Sequence, residues 1–372
     1  MDRREFLSYG VLGGGAGMLL GASDAQAQAV TRNFELSIEP ADVEMIDGTV
    51  VYMLLFFGGA PGSRTPRPLL RAVEGETVVF QITNNTTEPH RFQIPGVAGA
   101  TSSTIAAGRR VTVRFTAPVA GTYMYLDPMN APLYRVLGLH GGFIVSPRVG
   151  TTPAGSPTPY SRVSQTPAVQ AVFDALGTFE RFAGDKWNPL DPTREKVWIF
   201  SQVDPELNRR VEQKLAIDPA SVVSSFRPRY FTINGVSGFD AEDDNSIKPV
   251  GYIGQPTLIR TMNAGLATHA PHIHGNHVFE LSTQRSTGTV VVNSNIYERD
   301  VWVSAPLDRK DMLLPFEVPP DIPREMWPPV QEPFPLRYVM HCHTEMSQTA
   351  GGGNYPQGMV CHWEILGPRP TV

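Results

Sequence analysis

The sequence predicts an all-β protein of two antiparallel β-sandwich domains joined by a long connector. Glycine and proline each occur 34 times in 372 residues, with many valines and threonines, which is the composition of short strands joined by turns. Apolar residues make up 41% of the chain, enough at this length to bury more than one core. From Thr31 to Pro147 they recur at strand length or strand period, with no convincing amphipathic helix.

The first segment is read as an address. Met1-Asp2-Arg3-Arg4-Glu5-Phe6-Leu7 is a twin-arginine start, Gly10 to Gly21 is too short an apolar stretch to span a bilayer, and Ala25-Gln26-Ala27 offers small residues for cleavage. The expectation is a removable export signal over 1–27, a periplasmic location and no membrane anchor. That route carries proteins already folded, often with a cofactor inserted. A formal net charge of −5 calls for neither nucleic acid nor an anionic membrane surface.

The first sandwich is expected over 30–148. Thr77 to Asn84 and Val111 to Phe115 alternate or run apolar at strand length, with glycine-rich punctuation between them. A connector over 149–228 follows, comprising a Pro/Thr/Ser linker from Thr151 to Pro159, a short helix within Val169 to Phe182 and a strand at Lys196 to Phe200. Its length predicts that it wraps a surface or meets a neighbouring subunit. The second sandwich, 229–372, opens at Tyr230 to Gly235. Its further strands are expected at Thr257 to Met262, His277 to Leu281, Thr289 to Val292, Asp300 to Val303, Arg337 to His341 and Met359 to Ile365. Asp240 to Asp244 reads as a solvated acidic loop, and Pro319 to Pro335, with seven prolines, as a rigid irregular one.

The chemistry sits in two strings, His269-Ala270-Pro271-His272-Ile273-His274-Gly275 and His341-Cys342-His343. Strand residues alternate faces, so Cys342 points one way and His341 and His343 the other. A thiolate on one face suits a copper electron-transfer site; paired imidazoles on the reverse suit copper or zinc. The plainer alternative is a reduced core cysteine flanked by two surface histidines. A Cys342–Cys361 disulfide is the other alternative in an exported protein. Against it, Cys361 reads as a core residue sharing a strand face with Met359, Trp363 and Ile365. His140 reads as a structural histidine, with a place near the metal as its alternative, and His277 as an ordinary strand residue or a hydrogen-bond partner of a ligand. Asp127 and Asn130 read as a turn fixed by Asp-Pro, the alternative being that they orient an imidazole or a water.

Taken together, these strings resemble the multicopper oxidases, the cupredoxin-fold family that includes laccases and relatives of copper-dependent nitrite reductase. Leu70 to Thr77, Thr83-Asn84-Asn85, Gly121 to Tyr125 and Gly138 to Val145 look like the family's first domain. Tyr230 to Gly235, His269 to Gly275 and His341 to His343 look like its last. The resemblance covers most of the chain beyond the leader and implies two cupredoxin-like Greek-key sandwiches, the middle domain of three-domain laccases being absent. It implies copper as cofactor, and His269, Cys342 and Met359 as ligands of a copper that takes up electrons. The family's remaining histidine there is replaced by Ser347, with Glu345, Met346 or His362 as candidate substitutes, and the loop after it is expanded by Ala350 to Gln357. In the family's three-copper cluster, Phe92, Leu126 and Pro128 stand where histidines belong, which leaves His90, His272, His274, His341 and His343 for a site of one copper.

The function this implies is an exported copper oxidoreductase with a reduced copper complement, served by a small-molecule or protein electron donor, and not a four-electron laccase. A copper-binding or electron-carrying protein without turnover and a metal-free scaffold are the alternatives. The family's assembly allows a homotrimer without requiring one.

Overall fold

The computed structural model of the chain describes residues 30–369 apart from 179–183, 287, 318–322, 327–332, 352 and 354. The export signal expected over 1–27 and most of the proline-rich loop lie outside the described residues.

The first domain is two facing sheets. One orders its strands β3 (Thr65–Pro66), β2 (Val50–Gly59), β1 (Thr31–Glu44), β5 (Thr77–Asn84) and β6 (Arg110–Thr116); the other orders β4 (Leu70–Val73), β8 (His140–Ser146) and β7 (Gly121–Leu126). Along β5 every second residue is buried, so Val78, Phe80 and Ile82 point inward, as period-two patterning requires. Phe80 packs 4.8 Å from Phe92 and 6.0 Å from Phe115, ring centroid to ring centroid. Phe92 is fully buried in this cluster; a phenyl group at that position contributes about 1.5–3 kcal/mol to the core by leaving water.

In the second domain a six-stranded sheet, β10 (Tyr230–Ile233), β9 (Glu195–Val203), β12 (Thr257–Asn263), β16 (Arg309–Leu314), β14 (Val278–Gln284) and β15 (Val291–Arg299), faces a four-stranded one. The latter runs β11 (Val250–Gly251), β18 (Val360–Ile365), β17 (Leu336–Cys342) and β13 (Pro271–Ile273). Four features correct the sequence reading. The connector strand β9 lies inside the second sheet, paired in parallel with β12, so that sheet begins at Glu195 and not after 229. The sheets are mixed, because β1/β5, β4/β8, β9/β12 and β11/β18 pair in parallel; chain crossovers between the two layers return these strands in the same direction. Asp240 to Asp244 is not a simple solvated loop, since Gly238–Glu242 is a short helix with Ala241 buried. The segment 300–303 forms one isolated bridge, Val301 with His272, rather than a strand.

The connector's helix runs Pro167–Ala175, with Thr166 accepting the N–H of Val169 as its cap. Its buried Val169 and Phe173 join Tyr160 and Trp187 over Leu258, Phe279 and Leu313 of the six-stranded sheet, so the connector covers that sheet's outer face.

The domains share a small apolar seam, Leu126 and Ile144 against Ile199 and Met262, and beside it a buried polar knot. Fully buried Asp311 accepts from Thr122 Oγ1, from Tyr160 Oη at 2.9 Å, from Ser282 Oγ at 3.1 Å and from Arg260 Nη1 at 3.2 Å. Arg260 also donates to Glu195, which Arg71 holds from the first domain at 2.6 Å. Burial raises the Glu195 carboxyl, but Arg260 and Arg71 outweigh it and hold the group below the usual carboxylate range.

Candidate metal centre

Two short strands bring the histidines together. β13 pairs antiparallel with β17, placing His272 opposite His341, Pro271 opposite Cys342 and Ile273 opposite Met340. Ile273, Met340 and Cys342 enter the second core, while His272, His274, His341 and His343 stay on the outer face. His272 lies 4.4 Å from His274 and 4.6 Å from His343, and His341 lies 5.2 Å from both His274 and His343, measured between ring centroids. Ligand atoms of His272, His274 and His341 all fall within 4.8 Å of one another.

The ring orientations suit a shared ion. His272 Nδ1 faces the Asp300 carbonyl oxygen at 3.2 Å, with the Asp300 carboxylate at 3.6 Å, and His341 Nδ1 faces the Cys342 carbonyl oxygen at 3.3 Å. Each Nδ1–H therefore donates backward and leaves an Nε2 lone pair forward, the usual arrangement of metal-bound imidazoles. Nε2 of His274 and Nε2 of His341 are 3.1 Å apart. Two nitrogens about 2.0–2.1 Å from one tetrahedral ion stand about 3.3 Å apart, so little movement is needed. Burial, followed by the neighbouring imidazoles, lowers the His274 pKa; the same forces outweigh the Cys342 carbonyl at His341. Both shifts favour the neutral ring, the form that binds metal.

The turn after His274 depends on a glycine. Gly275 has φ +74°, and a Cβ there would meet the Tyr338 ring at 2.3 Å, with Tyr338 in turn stacked on Trp363 at 4.9 Å. Trp363 Nε1 donates to the His274 carbonyl at 2.9 Å. Gly275→Ala is expected to destabilise the protein by about 1–3 kcal/mol through left-handed strain and the displaced ring, read as a lower denaturation midpoint.

His90 is placed elsewhere, in the first domain. It is fully buried, its Nδ1 is 2.7 Å from Asp127 Oδ2 and its ring is 4.5 Å from Tyr134, while Nε2 has no partner among the described residues. Asp127 also accepts from the backbone N–H of Arg91 and Met129, so it both makes the turn and orients the imidazole, two roles the sequence reading had set against each other. Burial lifts the Asp127 carboxyl above its usual range despite these donors. Of the positions where the resemblance implied lost histidines, Phe92 fills the first core and Leu126 the interdomain seam.

On the reverse face Cys342 Sγ lies 3.5 Å from His269 Nδ1 and accepts from Ala270 N at 3.3 Å. Both cysteines are free. Met359 is fully buried in the same core. Ser347 Oγ donates to the Thr344 carbonyl at 2.6 Å, His362 is held by Glu242 at 2.7 Å, and Glu345 and Met346 are exposed.

His140 is structural. Its Nδ1–H donates to the Arg135 carbonyl at 2.9 Å, and burial, reinforced by the charge of Arg67, pushes its pKa down to about 3. Below pH 6.5 the unfolded chain takes up a proton at this ring that the folded protein refuses. Its contribution is thus complete above 6.5 and is lost as pH falls toward 3. His140→Asn keeps a donor for Arg135 without the titration, so its urea midpoint is expected to fall less than that of the natural protein between pH 7 and pH 4.5. His277 pairs with Glu298 at 3.2 Å.

Fold and site together define a two-domain protein of cupredoxin architecture carrying an outer histidine cluster. Residues 60–150, within the first sandwich, match the family model described as multicopper oxidase. Among curated proteins the chain is similar to the copper-containing nitrite reductase of Pseudomonas chlororaphis, 31% identical over 35% of this chain and 37% of that protein. It is also similar to that of Cereibacter sphaeroides, 28% identical over 49% of each. These matches span less than half of either relative. Among solved structures, the blue copper oxidase from Nitrosomonas europaea superposes with TM-score 0.63 at 20% identity, over 90% of this chain and 86% of that one. The multicopper oxidase mgLAC superposes with TM-score 0.59 at 21% identity, over 92% of this chain and 88% of that one.

Proposed function

We propose that the chain is an exported copper-binding oxidoreductase that holds one copper ion on the face of His272, His274, His341 and His343. The observation that carries this is the convergence of three imidazole ligand atoms within 4.8 Å, with His343 alongside. Imidazole donors suit copper, and the kinship of 60–150 with multicopper oxidases supports copper over zinc.

Bound copper would supply one-electron redox chemistry at a position open to solvent. The chain's residues do the rest. The β13–β17 ladder fixes the spacing of the rings, the Asp300 and Cys342 carbonyls hold the Nδ1 protons of His272 and His341, and the exposure of His274 and His343 leaves room for a small molecule. Reducing dioxygen to water takes four electrons and a cluster to hold the intermediates, and the first domain sets buried Phe92 and Leu126 where the resemblance calls for two of that cluster's imidazoles. A one-electron acceptor fits a single centre better. Nitrite, taking one electron and two protons to give nitric oxide and water, is the acceptor that kinship with nitrite reductases suggests. Electrons come from a small-molecule or protein donor outside the cytoplasm, a location supported by Arg3 and Arg4 at the start of the chain.

The test is electron paramagnetic resonance of the copper-loaded protein. Ascorbate without air should bleach the cupric signal and nitrite should restore it. A signal untouched by ascorbate would leave only metal binding without turnover.

A further inference from the structure

We infer that the sulfur face of β17 is closed to copper by Gln202, which fixes the His269 proton on the nitrogen facing Cys342. A donor then has to reduce the imidazole centre directly at the protein surface. The second statement rests on the copper reading above; the first does not.

Gln202, His269, Cys342 and Ser347 are at most 1% exposed, so each hydrogen-bonding group among them needs a partner within the protein. Gln202 Oε1 accepts from Leu266 N at 2.6 Å and from Ala267 N at 3.1 Å. Two backbone donors thus fix the carbonyl end of the amide and turn its NH₂ toward His269 Nε2. A neutral imidazole has one donor and one acceptor. Since Nε2 has to accept, the proton is on Nδ1, 3.5 Å from Cys342 Sγ.

Copper between His269 and Cys342 would need that Nδ1 lone pair. Moving the proton to Nε2 sets N–H against N–H. Turning the amide over instead points its NH₂ at the Leu266 and Ala267 N–H groups. Either way buried donors lose their acceptors, a penalty that corresponds to copper binding about 10- to 100-fold weaker.

The surroundings are built to hold the amide in place. A Cβ on Gly265 would lie 2.0 Å from Gln202 Oε1, so the glycine makes the space that the side chain fills. Gly265 N donates to Asn263 Oδ1 at 2.9 Å, and Arg135 reaches across from the first domain to the carbonyls of Ala264 and Gly265. With the Ser347 hydroxyl committed to Thr344 and His362 held by Glu242, the site has neither a free first imidazole nor, among the described residues, a second one beside it.

Gln202→Glu is the discriminating change, because it keeps the oxygen facing Leu266 and Ala267 and replaces the NH₂ with an oxygen that accepts Nε2–H. Ser347→His supplies the other imidazole. Full-length natural protein and Ser347→His, loaded with Cu(II), are expected to lack the intense visible band of a copper–thiolate bond. The Gln202→Glu/Ser347→His protein should gain that band and one further copper equivalent. Nitrogen-15 NMR should find His269 protonated on Nδ1 in the natural protein and on Nε2 in Gln202→Glu. A band in the natural protein or in Ser347→His alone overturns the inference, as does Nε2 protonation in the natural protein. So does a double variant that shows no band while keeping the natural near-ultraviolet circular dichroism. Adding His272→Ala to each protein leaves the copper–thiolate band and the His269 tautomer unchanged, so failure of the imidazole centre would be seen separately.

Discussion

Asp311→Ala is expected to destabilise the protein by about 3–5 kcal/mol, the usual cost of breaking a buried ion pair from one side. The carboxylate takes hydrogen bonds from Thr122 in the first domain, Tyr160 in the connector, and Ser282 and Arg260 in the second domain. Its removal leaves Arg260, 2% exposed, with Glu195 as its remaining anion, and orphans three hydroxyls at once. Thr122→Ala removes one donor and is expected to cost only about 1 kcal/mol, because the carboxylate keeps its other partners. Urea denaturation of both variants checks the order. The larger loss should fall on the contact between domains, so that probes in the two sandwiches unfold at separate midpoints in Asp311→Ala.

The second large effect is on metal. His272→Ala/His341→Ala removes two of the three converging ligand atoms, and copper affinity is expected to fall by well over the roughly 10–100-fold that loss of a ligand's hydrogen-bonding partner costs. Cys342→Ser should leave this binding unchanged, because its side chain faces the core on the reverse side of the strand. Equilibrium dialysis against a copper buffer measures both. Near-ultraviolet circular dichroism then shows whether the Trp363–Tyr338 stack under His274 has survived the substitutions.

The outer histidine face was legible because strand period and antiparallel pairing are short-range rules. Once His341-Cys342-His343 is a strand, its cysteine has to turn inward and its histidines outward, and a partner carrying His272 and His274 completes the cluster. Gln202 was not legible. It lies 67 residues before His269, on a strand assigned by its pattern to a connector, and an amide carries no signature of the imidazole it will meet. The bond between His90 and Asp127 was visible only as an alternative to a turn, since Asp-Pro predicts a turn whether or not its carboxylate also reaches an imidazole 37 positions earlier. The parallel pairings depend on which layer each crossover joins, a long-range outcome that alternating residues do not encode.

The central claim is a single copper on the outer imidazoles, and metal analysis of protein isolated from its own host tests it most directly. One copper per chain, absent from His272→Ala/His341→Ala and retained by Cys342→Ser, is the predicted result. Copper that stays with the double-alanine variant, or natural protein that emerges with no copper and takes none up from solution, would contradict it.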